Sequence, residues 1–205
     1  MQDPDQDTTD LIKCIETLGE KERKEGHKVR PIHRLTTVID LSIRIQYETL
    51  ILGGFSGRLD QTIHVLSHIH KIRETRPRLY VVTDDNIGWV LDGVSVKSND
   101  GAVVLNSAKG HHRISIDHHV LGPTCGLLPV GIDSTVLTTS GLRWNLGKSK
   151  LSTLCAFADH LLEDETESSF GGLVSTSNHL VPTEQFVTIE TSRPIWWCAE
   201  LRKRT

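Results

Sequence analysis

Residues 50–66 read LILGGFSGRLDQTIHVL. An apolar run stops at two glycines, a third follows, and then Arg58, Asp60 and Gln61 open a helical-looking segment. Upstream, YETLILGG (47–54) predicts a buried strand. RLDQTIHVLSHIHKI (58–72) carries apolar residues at 59, 63, 66 and 69, the spacing of a helix face. RLYVVTDD (78–85) predicts a second strand closed by a turn. Strand, glycine turn, helix and strand make a βαβ unit, and a helical crossover of this kind implies a parallel sheet.

Working outward, residues 8–25 predict a helix. Thr8, Thr9 or Asp10 can cap its start, Leu11, Ile12, Ile15 and Leu18 recur on one side, and Gly26 can end it. The stretch 27–46 has no clean period and reads as a strand, a loop or an insertion. Residues 92–110 are rich in Gly, Ser and Asn, which suits turns and short strands. Beyond them, HRISI, CGLLPV, STVLTTSGLRW, GGLVSTSN, QFVTIET and IWWCAEL follow one another between turn signals. That spacing predicts an antiparallel sandwich. The acidic FADHLLEDETESSF (157–170) interrupts it and reads as an exposed loop or short helix. The expected architecture is a Rossmann-like α/β part over residues 1–109, followed by a β-sandwich over 110–205.

Composition narrows the functional classes. The net charge is −3, so no broad basic field exists for nucleic acid or an anionic membrane surface. No apolar run approaches the ~20 residues that span a bilayer. The acidic N-terminus is no secretory signal. The four cysteines, at 14, 125, 155 and 198, show neither CxxC nor zinc-knuckle spacing. Free thiols and these exclusions together point to the cytoplasm.

Glycines after a strand let backbone approach a phosphate, and a following helix N-terminus favours an anion. GGFSGR is neither GxGxxG nor the Walker pattern, so as a bare cluster it reads first as an ordinary βα turn with glycines for geometry. Arg58 can fork onto phosphate oxygens. Asp60 can bind Mg²⁺ or orient a hydroxyl, although a first-turn Asp is also a routine partner for the helix dipole. His64 and His68 have the i, i+4 spacing of a zinc pair, but no HExxH glutamate accompanies them, and the eleven histidines read as solvated or packing groups.

LGGFSGRLDQT resembles the glycine-rich signature of thiamine pyrophosphokinases, LGG-x-x-GR-x-DQ. PDQDTTDLIKC (4–14) resembles that family's acidic D-x-T-D segment. CGLLPVG and TTSGLRWNL resemble the start of its vitamin-binding β domain, and GLVSTSN with VTIETSRPIWW resembles its end. The stretches are collinear and cover nearly the whole chain.

The resemblance implies transfer of diphosphate from ATP to the hydroxyethyl oxygen of thiamine, with Mg²⁺, in a homodimer whose site lies between domains of different subunits. It implies Asp10 and Asp7 as metal ligands, which otherwise read as cap and first-turn acids of a helix. Gly53, Gly54, Gly57 and Lys13 would close on the nucleotide. Arg58 would hold phosphate, Asp60 would act on metal or on the thiamine hydroxyl, and Gln61 would orient one or the other. Ser175, Ser177 and Asn178 would meet the aminopyrimidine. Trp144 would stack on it, as a cationic heterocycle wants an aromatic face. Trp196 and Trp197 are adjacent, so in a strand they point to opposite faces, and one is expected in the core.

The chain departs from the family in lacking a G-D-x-D-S motif, which supplies further aspartates. The reading is therefore of an α/β part missing its first strands, with exposed apolar faces and reduced stability there. The alternatives are a catalytically incomplete module that binds thiamine and supports dimerisation, and, ranked lower, a sandwich presenting tryptophan to carbohydrate.

Overall fold

The computed structural model describes residues 9–25, 46–55, 57–93, 110–147 and 166–203. The chain divides into two compact units, Met1–Thr49 and Leu50–Thr205.

In the first unit, helix α1 spans Asp10–Lys24, as its apolar spacing predicts. Thr9 precedes it in extended conformation but makes no side-chain cap bond. Asp10 in the first turn and Lys21, Arg23 and Lys24 in the last complement the helix dipole. The Tyr47 amide donates to Glu22 at 2.8 Å, and its hydroxyl donates to the Glu25 carboxylate. That carboxylate raises the Tyr47 phenol pKa. Residues 26–45, and with them Gly26 as a helix stop and the reading of 27–45, lie outside the described residues.

The second unit is built on strand β1 (Thr49–Leu52), helix α2 (Leu59–Ile72), β2 (Leu79–Val82) and β3 (Asn86–Leu91). Then come β4 (Gly110–Ser115), β5 (Leu121–Leu128), β6 (Thr135–Ser140) and β7 (Thr166–Ser168). The last strands are β8 (Ser175–His179), β9 (Phe186–Thr191) and β10 (Ile195–Leu201). A large sheet has the order β1-β2-β3-β10-β5-β8, and a small one β4-β9-β6-β7. The pair β1 and β2, joined through α2, is the expected βαβ unit. From β2 to β8 every neighbour is antiparallel, so the large sheet is mixed rather than parallel throughout.

Register assigns the two faces of the large sheet. Trp197 pairs with Trp89 and Leu127, and Ala199 pairs with Ile87 and Cys125. These side chains share one face, and with Leu91 and Ile195 they pack against Leu137, Val187 and Ile189 of the small sheet. This is the sandwich core. The alternate residues Val81, Gly88, Cys198 and Trp196 face the other way. There α2 covers the sheet through Val65 and Ile69, its two buried residues. A Cβ at Gly54 would lie 3.3 Å from both Val65 and Val81, which places the glycine turn on this same face.

The structure differs locally from these expectations. Strand β1 is not buried. Leu50 and Leu52 are 61% and 77% exposed because β1 is the sheet's edge and these side chains point away from Ile51, which packs toward Gly54. The buried stripe of α2 runs through Val65 and Ile69, while Leu59 and Ile63 are 75% and 55% exposed. Strand β3 was hidden by its turn-rich surroundings. In the acidic 157–170 stretch, residues 166–168 form β7, paired to β6 from Thr135–Ser168 to Leu137–Thr166, and 157–165 lie outside the described residues. Trp196 and Trp197 do take opposite faces, yet both are buried, since the large sheet is covered on both sides there.

Candidate functional site

Two clusters, both in the second unit, gather most of the residues singled out above; Asp10 and Lys13 belong to the first unit. The first is the glycine turn. Gly53 and Gly57 adopt φ of 78° and 87°, left-handed backbone that side chains with a Cβ resist. Gly53 donates its amide to Val82 at 2.8 Å, tying the turn to the end of β2. A Cβ at Gly57 would meet nothing within 4 Å, so its need is conformational and the space beside it is open. Gly54 is a packing glycine, with Ile51, Val65 and Val81 at 3.1–3.3 Å from a Cβ position.

Arg58 sits at the N-cap of α2 in extended conformation, and its carbonyl accepts from the Thr62 amide at 3.2 Å. Its guanidinium forks onto the Asp60 carboxylate, with Nε to Oδ1 at 3.1 Å and Nη2 to Oδ2. The hydrogen bond from Arg58, ahead of other causes, holds the Asp60 carboxyl below the usual carboxylate range. Asp60 is therefore an anion in the first turn of α2, poorly suited to taking a proton and well suited to accepting a hydrogen bond. Gln61 follows it, exposed. Asp10 is exposed in the first turn of α1, and the Lys13 amide donates to Thr9 at 3.1 Å. Asp7 lies outside the described residues. Among the described residues no three His, Cys, Asp or Glu side chains converge as a metal site.

The second cluster surrounds Trp144. Asn178 is 4% exposed, and its amide bonds twice to the Trp144 backbone, accepting from the amide at 3.2 Å and donating to the carbonyl at 2.8 Å. The same oxygen accepts from the His179 amide at 2.8 Å, and Nδ2 reaches Ser175 Oγ at 3.4 Å. Ser175 is buried and Ser177 exposed, the latter with φ 55°, the sole non-glycine left-handed residue among those described. Asn178 thus spends its side chain holding the Trp144 loop. The Trp144 ring, 48% exposed, meets His179 edge-on at 5.2 Å, and Arg143 lies 5.0 Å above it. Arg143 and His179 went unnoticed in the sequence, although each adjoins a residue that was singled out.

Among the described residues several histidines pack or bond to backbone, and His111 meets the Glu190 carboxylate at 3.2 Å. His64 and His68 stack at 6.0 Å, and His112 meets the Asp92 carbonyl at 2.7 Å. His70 is pressed against Gly131, and desolvation, ahead of the Arg73 charge, lowers its pKa. Cys14, Cys125 and Cys198 are free thiols, and burial pushes Cys125 up to about 12. No helix among the described residues is long and apolar enough to cross a membrane.

Comparison with known proteins gives a consistent result. The family model described as "Thiamin pyrophosphokinase, catalytic domain" matches residues 1–81. The one described as "Thiamin pyrophosphokinase, vitamin B1 binding domain" matches residues 111–196. Thiamine pyrophosphokinase 2 of Arabidopsis thaliana is 30% identical over 199 residues, covering 97% of this chain and 55% of the relative. Thiamine pyrophosphokinase 2 of Oryza sativa subsp. japonica is 31% identical over 201 residues, 98% of this chain and 55% of its own length. The chain spans about half the length of these curated relatives. Among solved structures, thiamine pyrophosphokinase from Bacillus subtilis superposes with a TM-score of 0.60 at 14% identity, over 98% of this chain and 66% of that one, a likeness of fold.

Proposed function

The chain belongs to the thiamin pyrophosphokinase family, and from that premise we propose that it converts thiamine and ATP to thiamine diphosphate and AMP. The observation that carries the reading is the Arg58–Asp60 fork, set at the start of α2 behind two left-handed glycines, within the stretch matched to the catalytic domain. Formation of AMP requires the thiamine hydroxyl oxygen to attack the β-phosphorus of ATP. The bond from that phosphorus to the oxygen bridging to the α-phosphate breaks, AMP departs with the electron pair, and the hydroxyl proton passes to solvent water. Such chemistry asks a protein mainly for positioning and charge neutralisation.

In this reading Arg58 offers its guanidinium to phosphate oxygens, pre-oriented by Asp60. Asp60 accepts a hydrogen bond from the attacking hydroxyl, a role suited to its depressed pKa, and Gln61 orients it. Gly53, Gly54 and Gly57 let the backbone approach the nucleotide, and Lys13 is proposed as a nucleotide contact on the family resemblance alone. Ser175, Ser177 and Trp144 receive the vitamin, with Asn178 fixing the Trp144 loop. Mg²⁺ is proposed with ATP, whose phosphates bring oxygen ligands of their own. The described carboxylates do not by themselves fit a closed site for it: Asp60 is committed to Arg58, and Asp10 offers one exposed carboxylate with Asp7 as its proposed companion. A homodimer with a shared site, a cytoplasmic setting and a division into 1–109 and 110–205 belong to the same proposal. The matched ranges 1–81 and 111–196 support the division.

The test is AMP release by the chain with thiamine and Mg-ATP, beside Asp60→Asn. Thiamine-dependent AMP, one per thiamine diphosphate, that falls about 100-fold or more in the variant supports the reading. A folded chain that binds thiamine and releases no AMP would replace the enzyme with the binding module.

A further inference from the structure

The glycine turn carries an aromatic residue that the reading above leaves idle. Phe55 stands between Gly53 and Gly57, the two left-handed points of the turn. Its ring is half-buried and meets the Trp196 indole edge-on, centroids 5.7 Å apart at 70°. Trp196 is 1% exposed on β10, on the α2 face of the large sheet, while its neighbour Trp197 fills the sandwich core on the other. Strand β10 is central, paired along six positions with β3 and along five with β5. A loop pivoting on two glycines has little intrinsic stiffness, and at its start the Gly53 amide donates to Val82. Arg58 and Asp60, beyond the second pivot, are exposed and touch each other rather than the sheet. The ring contact on the rigid centre of the sheet is a restraint on the turn that leads into the fork, beside the packing of α2 through Val65 and Ile69.

We propose that Phe55 is a positioning residue: anchored on Trp196, it holds the glycine turn down so that the Arg58–Asp60 fork is presented in one orientation to a polyphosphate. The assignment of the polyphosphate rests on the proposed function; the anchoring does not. An aromatic pair in this edge geometry is worth more than its buried area alone, and a half-exposed ring can be removed without emptying the core.

The experiment compares the intact chain with Phe55→Ala and Phe55→Leu. Hydrogen exchange of the 53–60 amides reads the anchor, with 121–128 and 186–201 as internal references. Titration with Mg-ATP and, separately, with thiamine reads the consequence. In Phe55→Ala the 53–60 amides exchange about five- to tenfold faster while the reference strands keep their protection. Mg-ATP affinity falls about tenfold, thiamine affinity stays within about twofold, and Phe55→Leu recovers most of both losses, since apolar contact with the indole is restored. Unchanged exchange at 53–60 in Phe55→Ala overturns the anchor. Faster exchange with unaltered Mg-ATP affinity overturns the positioning role. If the unaltered chain takes no Mg-ATP, the nucleotide assignment and with it the positioning role fall, and the exchange result still decides the anchor.

Discussion

Asn178 shows how a single side chain can look like a ligand contact and act as a latch. In STSN, at the end of an apolar run, it suggests a hydrogen bond to a bound heterocycle. Folded, its amide closes a ring with the Trp144 backbone and also takes the His179 amide. Asn178→Ala strands those groups in a buried setting, and we expect a loss of about 1–3 kcal/mol, read as a lower urea midpoint at unchanged slope. If Trp144 receives thiamine as proposed, thiamine affinity falls with it, because Trp144 loses its support. Full stability with lost affinity would instead make Asn178 a direct contact. STSN and GLRWNL could both be singled out in the sequence. The bonds among them could not be read there, because Trp144 and Asn178 are 34 positions apart and meet only when β8 returns beside the loop after β6.

At the scale of the element, the turn from β1 into α2 contains glycines required for different reasons. Gly57 needs its φ of 87° and has open space around it; Gly54 has the space problem instead. Gly57→Ala should cost about 1–2 kcal/mol and Gly57→Asn less, since Asn tolerates left-handed backbone. At Gly54 the order should reverse, with Ala crowding three methyl groups at a cost of about 1–3 kcal/mol and Asn costing more. Urea denaturation of the four variants decides the matter; the same order at both positions would refute the distinction. The strand, turn and helix were legible because the apolar run and the glycines are local signals. Which helix residues are buried was not: α2 lies on a sheet edge, so the stripe that a fully covered helix would bury is only partly used, and Leu59 and Ile63 face outward.

For the whole molecule, the large sheet is the decisive feature. Strands β1, β2 and β3 come from the stretch matched to or adjoining the catalytic domain, and β10, β5 and β8 from the stretch matched to or adjoining the vitamin-binding domain. Trp197 lies at their junction, paired with Trp89 on one side and Leu127 on the other. Trp197→Ala should cost about 3–5 kcal/mol, and hydrogen exchange should show β2 and β9 losing protection together. Loss in β9 with β2 intact would mean that the two stretches fold independently.

The sequence by itself determined the order of strand and helix, the glycine turn with its charged companions, the family resemblance and the run of short strands that makes a sandwich. These rest on periodicity, turn chemistry and motifs, all readable within about 20 neighbouring residues. Only the tertiary structure decided that β3 pairs with β10, that both adjacent tryptophans are buried on opposite faces, and that Phe55 rests on one of them. The physical reason is that sheet pairing and burial depend on what covers each face, and here the covering residues lie as many as 141 positions away: Phe55 on Trp196.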